Sequence, residues 1–253
     1  MPFEKVQPEK LSTAVVRQIE LLILRGILRP GERLPAEREL AERLAVSRPS
    51  LREALADLQA GGLLVSRAGA GVFVADVFGS AFSSALVTLF SKHDEAIFDT
   101  LAFRRDMEGL AAARAAEMGT ETDLKVIDST FRKMEAAHEK RSGQEEARLD
   151  AEFHLAIVEA SHNVILLHMM RSMYDLLREG VFYNRQIMFK QRTTRATLLD
   201  QHRAINDAIQ SRDGAAAKAA IVAHMNYVEA ALLTARKAER NDRIAAKRLE
   251  RRL

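Results

Sequence analysis

The chain has 253 residues, of which 47% are hydrophobic and 29% are charged, values that exclude wholesale disorder and allow two domains. It has no cysteine, which excludes disulfides and thiolate metal sites, and no stretch is long and apolar enough to span a membrane. The first ten residues lack the apolar core of a signal peptide, so a cytoplasmic location is expected.

The formal net charge of +3 is unevenly divided along the chain. Residues 1–76 contain 11 Lys and Arg against 10 Asp and Glu, which gives +1. Residues 77–235 contain 19 against 22, giving −3, and residues 236–253 contain 8 against 3, giving +5. If the first segment binds a polyanion, its arginines must gather on one face, because the segment as a whole is barely basic.

Three helical patterns come first in the chain. One covers residues 11–25 and ends at Gly26. Two shorter patterns lie within residues 35–58, PAERELAERLAVSRPSLREALADL, and are separated by a turn at 45–47. Apolar residues at helical spacing mark the buried side of each pattern, so this region predicts a small helical core that contains a helix–turn–helix.

The last of these helices carries two arginines near its start. Ser47 is placed to cap it, and Pro49 lies in its first turn, where a missing N–H is harmless. Arg48 and Arg52 are four residues apart and therefore project from one exposed face. Such a face is typical of a recognition helix in a DNA major groove, because arginine can meet guanine O6 and N7 bidentately. Solvated arginines on an ordinary amphipathic helix are the alternative.

Two β-prone runs follow, at residues 63–66 and 72–75, joined by a loop that contains glycine. A helix, a helix–turn–helix and a hairpin in this order predict a winged helix. The pattern RPGERLPAERELAERLAVSRPSLREAL…GLLVSRAGAGVFV resembles the DNA-binding domain of the GntR family of bacterial regulators over about residues 10–76. One departure is Ala36, where the family usually carries a serine that caps the helix.

This resemblance implies contacts to double-stranded operator DNA from the recognition helix, the helix before it and the wing. Arg38, Arg48 and Arg52 would contact bases or phosphates, and Gly71 would let the wing approach the minor groove. The DNA-binding residues predicted in this way are Arg38, Ser47, Arg48, Pro49, Ser50, Arg52 and Gly71.

After a winged helix over residues 1–76 and a short linker at 77–80, almost every segment has a helical pattern. The patterns cover residues 81–91, 95–118, 121–140, 143–161, 163–184, 193–212 and 214–238. They predict an all-α bundle of six or seven helices over residues 81–238 in a mainly α protein. Residues 239–253 form a basic tail, expected to be a solvated helix or a disordered extension rather than an auxiliary DNA contact.

Three histidines and an aspartate in the helical region have the chemistry of a metal site. Asp150 and His154 are four residues apart on one helix, and His202 and His224 lie on two later helices. Neutral imidazoles and a carboxylate from three helices of a bundle can converge on a divalent cation. Taken singly, each histidine is more often a hydrogen-bonded core residue.

The spacing of these four residues resembles the FCD effector domain found in the FadR-like branch of the GntR family, over about residues 95–235. In that domain the four residues hold one metal ion, and its remaining coordination positions accept water or an effector carboxylate. The resemblance therefore implies one divalent metal per chain. Zinc is expected, with nickel, manganese and iron as alternatives.

Two effector-binding residues follow from the same resemblance. The segment FDTLAFRRDMEGLAA is similar to the first helix of the effector domain, where an arginine pairs with an anionic ligand. Arg104 shares a helical face with Glu108 and is preferred to Arg105, although a surface pair of arginines is the alternative. Asn163 matches a family asparagine near the site, or else caps the next helix.

Within the family, the sequence is most similar to one clade. Part of it resembles the pyruvate dehydrogenase complex repressor, and part resembles the lactate and glycolate regulators. This resemblance implies a homodimeric transcription repressor that is not an enzyme and does not bind membranes. Its operator binding would respond to pyruvate, lactate or glycolate at the metal. One alternative is a regulator with a structural or sensed metal and a different carboxylate effector. A more remote one is a metal-dependent enzyme fused to a DNA-binding domain, but no separate acid/base pair has a recognisable spacing.

Overall fold

The computed structural model of the protein describes residues 9–76, 84–178 and 192–251. The chain folds as two units, Met1–Gly79 and Ser80–Leu253, and each has its own hydrophobic core. The linker predicted at 77–80 lies outside the described residues, as do residues 81–83 and 179–184 of two predicted helices and residues 252–253 of the predicted tail.

The first unit is a winged helix, as the sequence predicts. Its two strands pair antiparallel, with Leu64 opposite Val74 and Arg67 opposite Gly71. The apolar sides of the first and third helices meet over the hairpin and form the core. The elements are α1 (Leu11–Leu24), α2 (Glu37–Leu44), α3 (Arg48–Ala60), β1 (Leu64–Arg67) and β2 (Gly71–Val74).

Local chemistry fixes the start of α3. The Ser50 backbone N–H donates to Ser47 Oγ at 3.3 Å, which satisfies one of the donors left open at a helix N-terminus. The preceding turn ends α2 at Ala45, whose φ of 52° is left-handed. The start of α2 has no side-chain cap at Ala36, but two glutamates in its first turn favour the positive end of the helix dipole.

The second unit is an all-α bundle, as predicted, and seven of its helices are described. The longest two, α5 and α10, pack against each other; α9 packs against both, α7 packs against α5, and α6 packs against α7 and α9. Large buried side chains from these helices form one continuous core. The described helices are α4 (Ser84–Lys92), α5 (Asp94–Met118), α6 (Glu121–Lys140), α7 (Gly143–Ala160), α8 (Val164–Arg178), α9 (Arg192–Gln210) and α10 (Gly214–Glu250).

Side-chain caps set where several of these helices begin. Thr120 and Asp123 form a reciprocal capping box on α6, Ser142 caps α7 and Asp213 caps α10. A cap fixes where the helix begins, and the apolar pattern then decides which side faces the core. Within α7, Asp150 is buried together with its apolar neighbours. None of the described helices is both long and apolar enough to cross a lipid bilayer.

Candidate metal centre and DNA-binding face

The four residues singled out from the sequence lie together in the second unit. Helix α7 contributes Asp150 and His154, α9 contributes His202 and α10 contributes His224; all four are buried. One donor atom from each residue lies within 4.8 Å of the donors of the others. The helical spacing predicts only that the first two share a face. His202 and His224 join them because the folded bundle brings α9 and α10 close to α7 at these positions.

Short distances join three of these donors. His202 Nε2 lies 3.3 Å from His154 Nε2 and 3.2 Å from Asp150 Oδ1, and His154 Nε2 lies 3.9 Å from the same oxygen. Imidazole nitrogens and a carboxylate oxygen are the ligands that zinc and similar divalent cations take. The donor set and its spacing therefore fit one divalent cation.

The outer nitrogens of two histidines have acceptors of their own. His154 Nδ1 lies 2.7 Å from Glu108 Oε2, and His224 Nδ1 lies 3.0 Å from Gln201 Oε1. An oxygen at this position favours a proton on Nδ1, which leaves Nε2 of the same ring unprotonated and able to ligate. Contacts of this kind orient the histidines of metal sites; here they are a hydrogen bond at His224 and a close contact with a carboxylate at His154.

Burial favours the neutral form of two of the rings. It lowers the pKa of His154 below its ordinary value, although the neighbouring carboxylates of Glu108 and Asp150 act in the opposite direction. Burial, followed by the charges of His202 and His154, lowers the pKa of His224 well below its ordinary value. Both shifts favour the neutral imidazole, which is the only form that can ligate a cation.

Glu108 connects this cluster to a buried arginine. Arg104 Nε donates to Glu108 Oε1 at 2.6 Å, and the two side chains are 2% and 1% exposed. Burial raises the pKa of Glu108, but the charges and hydrogen bonds of Arg104 and His154 outweigh it and hold the pKa well below its usual range. An ionised Glu108 therefore joins the predicted effector arginine to the predicted metal ligand His154.

The other two residues discussed at the sequence level have surface or structural contacts. Arg105 donates to Asn226 Oδ1 at 2.8 Å and lies near Glu229 at the edge of the bundle. Asn163 Oδ1 accepts a hydrogen bond from the Leu166 backbone N–H at 3.0 Å, so it caps α8. Of the two arginines, Arg104 is the one buried beside the cluster.

A second buried ion pair, which the sequence did not indicate, lies beside His202. Arg195 donates to both carboxylate oxygens of Glu146 and, at 2.8 Å, to the His138 carbonyl. Together with His202 these residues line a cavity of about 10 Å³, room for roughly one water molecule. Glu146 and Arg195 are 49 residues apart, so no local pattern could have paired them.

On the first unit, one carboxylate contacts both arginines of the predicted recognition helix. Arg52 Nε donates to Glu37 Oε2 at 2.8 Å, and Arg48 Nη2 lies 3.9 Å from the same oxygen. Both arginine side chains are more than half exposed. Glu37 was not among the predicted site residues. In the absence of DNA, the Glu37 carboxylate restricts the positions of the two guanidinium groups.

The wing places a glycine where a side chain would not fit easily. Gly71 has a φ of 109°, a conformation that L side chains rarely adopt. A Cβ atom at this position would lie 3.1 Å from Arg33 Nε. Across the hairpin, the Arg67 guanidinium lies over the Phe73 ring at 4.4 Å. The wing thus has a glycine without a side chain at position 71, with Arg33 and Arg67 nearby.

Two families match the two units. Residues 11–74 match the family described as bacterial regulatory proteins, gntR family. Residues 99–227 match the FCD domain. The matched ranges contain the helix–turn–helix and hairpin in the first case and all four clustered metal-ligand candidates in the second.

Similar proteins match this chain over most of their own length. The chain is 38% identical over 227 residues to an Escherichia coli (strain K12) protein named for regulation of the L-lactate dehydrogenase operon, covering 88% of this chain and 86% of the relative. It is 35% identical over 228 residues to the Glc operon transcriptional activator of the same strain, covering 89% and 90%.

A solved structure agrees with the fold. The Streptococcus agalactiae GntR structure superposes with a TM-score of 0.52 at 22% identity, covering 86% of this chain and 98% of that one. The families and sequence relatives are transcription regulators and not enzymes. The chain therefore belongs to the GntR family, as a DNA-binding transcription regulator of the FadR-like branch that carries an FCD domain.

Proposed function

We propose that this regulator senses a small 2-oxo or 2-hydroxy acid, such as pyruvate, lactate or glycolate, at a divalent cation in its second unit. The observation that carries the proposal is the buried cluster of three histidines and one aspartate beside the Arg104–Glu108 pair. Relatives named for the lactate dehydrogenase and Glc operons support this class of effector.

The residues that would hold the cation are Asp150, His154, His202 and His224, and zinc is the expected ion. A bound cation would offer its remaining coordination positions to a carboxylate oxygen and to the hydroxyl or keto oxygen beside it. Acetate and propionate lack the second oxygen. The same site therefore favours 2-oxo and 2-hydroxy acids over simple acids.

Arg104 supplies a buried positive charge for the effector carboxylate. A guanidinium has five N–H donors, so Arg104 can keep its Nε contact to Glu108 while its other nitrogens meet an anion. Both contacts would be strong in this buried setting, because few water molecules compete for the charges. Effector binding would then act on the orientation of Glu108.

Glu108 couples the two binding events. Its oxygens lie 2.6 Å from Arg104 Nε and 2.7 Å from His154 Nδ1, so a change on one side alters the hydrogen bonding on the other. Coupling of this kind is reciprocal: if the metal strengthens effector binding, the effector strengthens metal binding by the same factor.

The Glu108→Gln variant tests this coupling. We expect it to bind zinc about 10- to 100-fold more weakly, because a neutral amide is a poorer acceptor for the His154 Nδ1–H. Competition with a chelator at fixed pH measures the affinity. Glu152→Gln, which changes an exposed glutamate on the same helix as His154, is the matched control and should bind zinc normally.

A double variant separates the loss of the acceptor from the effect of an unpaired buried charge. Arg104→Gln together with Glu108→Gln removes both charges, so no uncompensated guanidinium is left in the core. We expect its zinc affinity to be as low as that of Glu108→Gln. Zinc affinity equal to that of the unchanged protein in both variants would contradict the coupling through Glu108.

We also propose that the protein is a homodimer and that the second unit contributes to the interface. One recognition helix buries too little surface for tight specific binding, and two-fold operators match two-fold proteins. The second unit supplies exposed apolar side chains for such a contact, including Ile165 at 69% and Met169 at 48% exposure on α8.

The fragment of residues 80–253 tests the contribution of the second unit. It contains a complete hydrophobic core, and we expect it to sediment as a dimer at micromolar concentration. Replacing Ile165 and Met169 by serine should shift the fragment towards monomer without unfolding it. A fragment that sediments as a folded monomer before any substitution would refute the participation of this unit in dimerisation.

A further inference from the structure

A basic stripe runs along the exposed end of α10. Residues 237–250 of this helix are all exposed, over a length of about 20 Å. Three cations of this stretch, together with the C-cap residue that follows it, recur at spacings of three and four residues and fall within an arc of about 80° at 100° per residue. They are Arg240, Arg243, Lys247 and Arg251, and they constitute the basic stripe.

The charges around the stripe are segregated. Lys237 and Arg248 continue it on one edge, whereas Glu239, Asp242 and Glu250 lie on the other side. Arg243 Nη2 lies 3.6 Å from Glu239 Oε1 at the border between the two sides. Acidic and basic residues do not alternate around the helix, as they would if each cation had an acidic neighbour on both sides.

This arrangement is unfavourable for a helix in water. Within the basic stripe, successive residues are separated by three, four and four positions, and like charges at these spacings destabilise a helix. A helix without a partner would be more stable with a glutamate in place of one of the earlier cations, because the helix dipole favours only the cations of the last turn. An anionic surface placed along the stripe would offset the repulsion between the cations, and each cation would add a favourable electrostatic contact.

DNA is the anionic partner that fits best. Residues 1–76 carry a net charge of only +1, whereas residues 236–253 carry +5. The sequence-independent part of DNA affinity comes from cations that replace the counterions of the phosphates. A membrane-binding helix would instead need a broad apolar side. On the side of α10 opposite the stripe, Ala238, Ala245 and Leu249 are mixed with the polar Asn241 and Asp242.

We propose that the basic stripe binds the phosphate backbone of duplex DNA and adds affinity that does not depend on sequence. From Arg240 to Arg251 it spans about 16 Å, alongside which a duplex carries roughly ten phosphate charges. The winged helix reads the operator, and the basic stripe raises the affinity for any duplex. This role requires neither the metal nor the effector.

The test is the salt dependence of binding to a short random-sequence duplex, with the full chain. The stripe variant replaces all four cations by glutamine, a good helix former. A charge-matched control replaces four exposed lysines elsewhere in the second unit by glutamine. The stripe variant is Arg240→Gln, Arg243→Gln, Lys247→Gln and Arg251→Gln; the control is Lys125→Gln, Lys133→Gln, Lys140→Gln and Lys218→Gln.

We expect the slope of log affinity against log salt to become shallower in the stripe variant by about 0.9 for each phosphate that the variant no longer neutralises, or roughly 3 to 4 for four phosphates. The control should keep the slope of the unchanged protein, and circular dichroism should show the same helix content for all three proteins. Because a random duplex is used, the result is independent of the proposed effector and metal.

Two outcomes would overturn the proposal. The first is a slope equal in the stripe variant and the unchanged protein; if the variant also loses binding to vesicles rich in anionic lipid, the stripe is a membrane contact. The second is an equal decrease of the slope in the control, which would reflect net charge alone.

Discussion

Replacing His202 by alanine is expected to abolish specific effector binding. In calorimetry, the zinc-loaded protein should bind at least one of lactate, glycolate and pyruvate at least about tenfold more tightly than propionate, a difference of about 1.4 kcal/mol. The His202→Ala protein and the chelator-stripped protein should lose this preference. The reason is that His202 Nε2 lies 3.3 Å or less from two other donors, so its removal opens the proposed cation site.

A matched histidine variant controls for the loss of an imidazole. His162→Ala removes an exposed ring that contacts Asp123 at 2.8 Å on the surface of the bundle and is not one of the four clustered donors. It should keep metal and effector binding. Equal effector affinity with and without metal would instead make the four residues a structural site, and a different carboxylate would then be the effector.

Arg48→Ala and Arg52→Ala are each expected to weaken operator binding by about 5- to 150-fold at one fixed salt concentration. This range corresponds to about 1–3 kcal/mol for a bidentate contact between arginine and guanine. Removing either arginine also removes a positive partner of Glu37. The Glu37 carboxylate would then repel the DNA phosphates more strongly. Fluorescence anisotropy with the operator duplex measures the decrease in affinity.

The control for these variants is Arg132→Ala, which removes an arginine of similar exposure from the second unit. Its operator affinity should be unchanged, and all three proteins should retain their helix content and oligomeric state. If Arg48→Ala and Arg52→Ala both bind the operator as tightly as the control, then these arginines are solvated side chains and the recognition surface lies elsewhere.

The start of α3 was predictable because its determinants are local. Ser47 and Ser50 are three residues apart, and the leucines of the same helix recur at its own period. The bounds of the hairpin were predicted less accurately. Strands were predicted at 63–66 and 72–75, and the structure has them at Leu64–Arg67 and Gly71–Val74. The turn residues set the register, and the β-prone composition alone does not specify it.

The length of α10 shows the limit of hydrophobic periodicity. The bundle was predicted to end at residue 238 and the tail to be a solvated helix or a disordered extension; the helix in fact continues through the tail to Glu250. Beyond Leu232 no residue of the helix is buried, so no apolar spacing could mark its continuation. The segment instead has many alanines, arginines and lysines, whose intrinsic helix propensity is high.

The four residues of the cluster were identified by resemblance, since their spacing alone leaves the ordinary core histidine open. The contacts that support this cluster and the recognition helix were not predictable at all. Glu108 and His154 lie 46 positions apart, and Glu37 and Arg52 lie 15 apart. Such pairs depend on which helices face each other, and a helical pattern specifies only the face of its own helix.

The most direct measurement follows operator binding while the purified protein is titrated first with zinc and then with lactate, glycolate, pyruvate or propionate. We predict that at least one of the 2-oxo or 2-hydroxy acids changes the operator affinity by about fivefold or more, about 1 kcal/mol. This change should require zinc and be absent with propionate and in the His202→Ala protein. An operator affinity that none of the acids changes, or that changes equally after zinc is removed, would contradict control through this site.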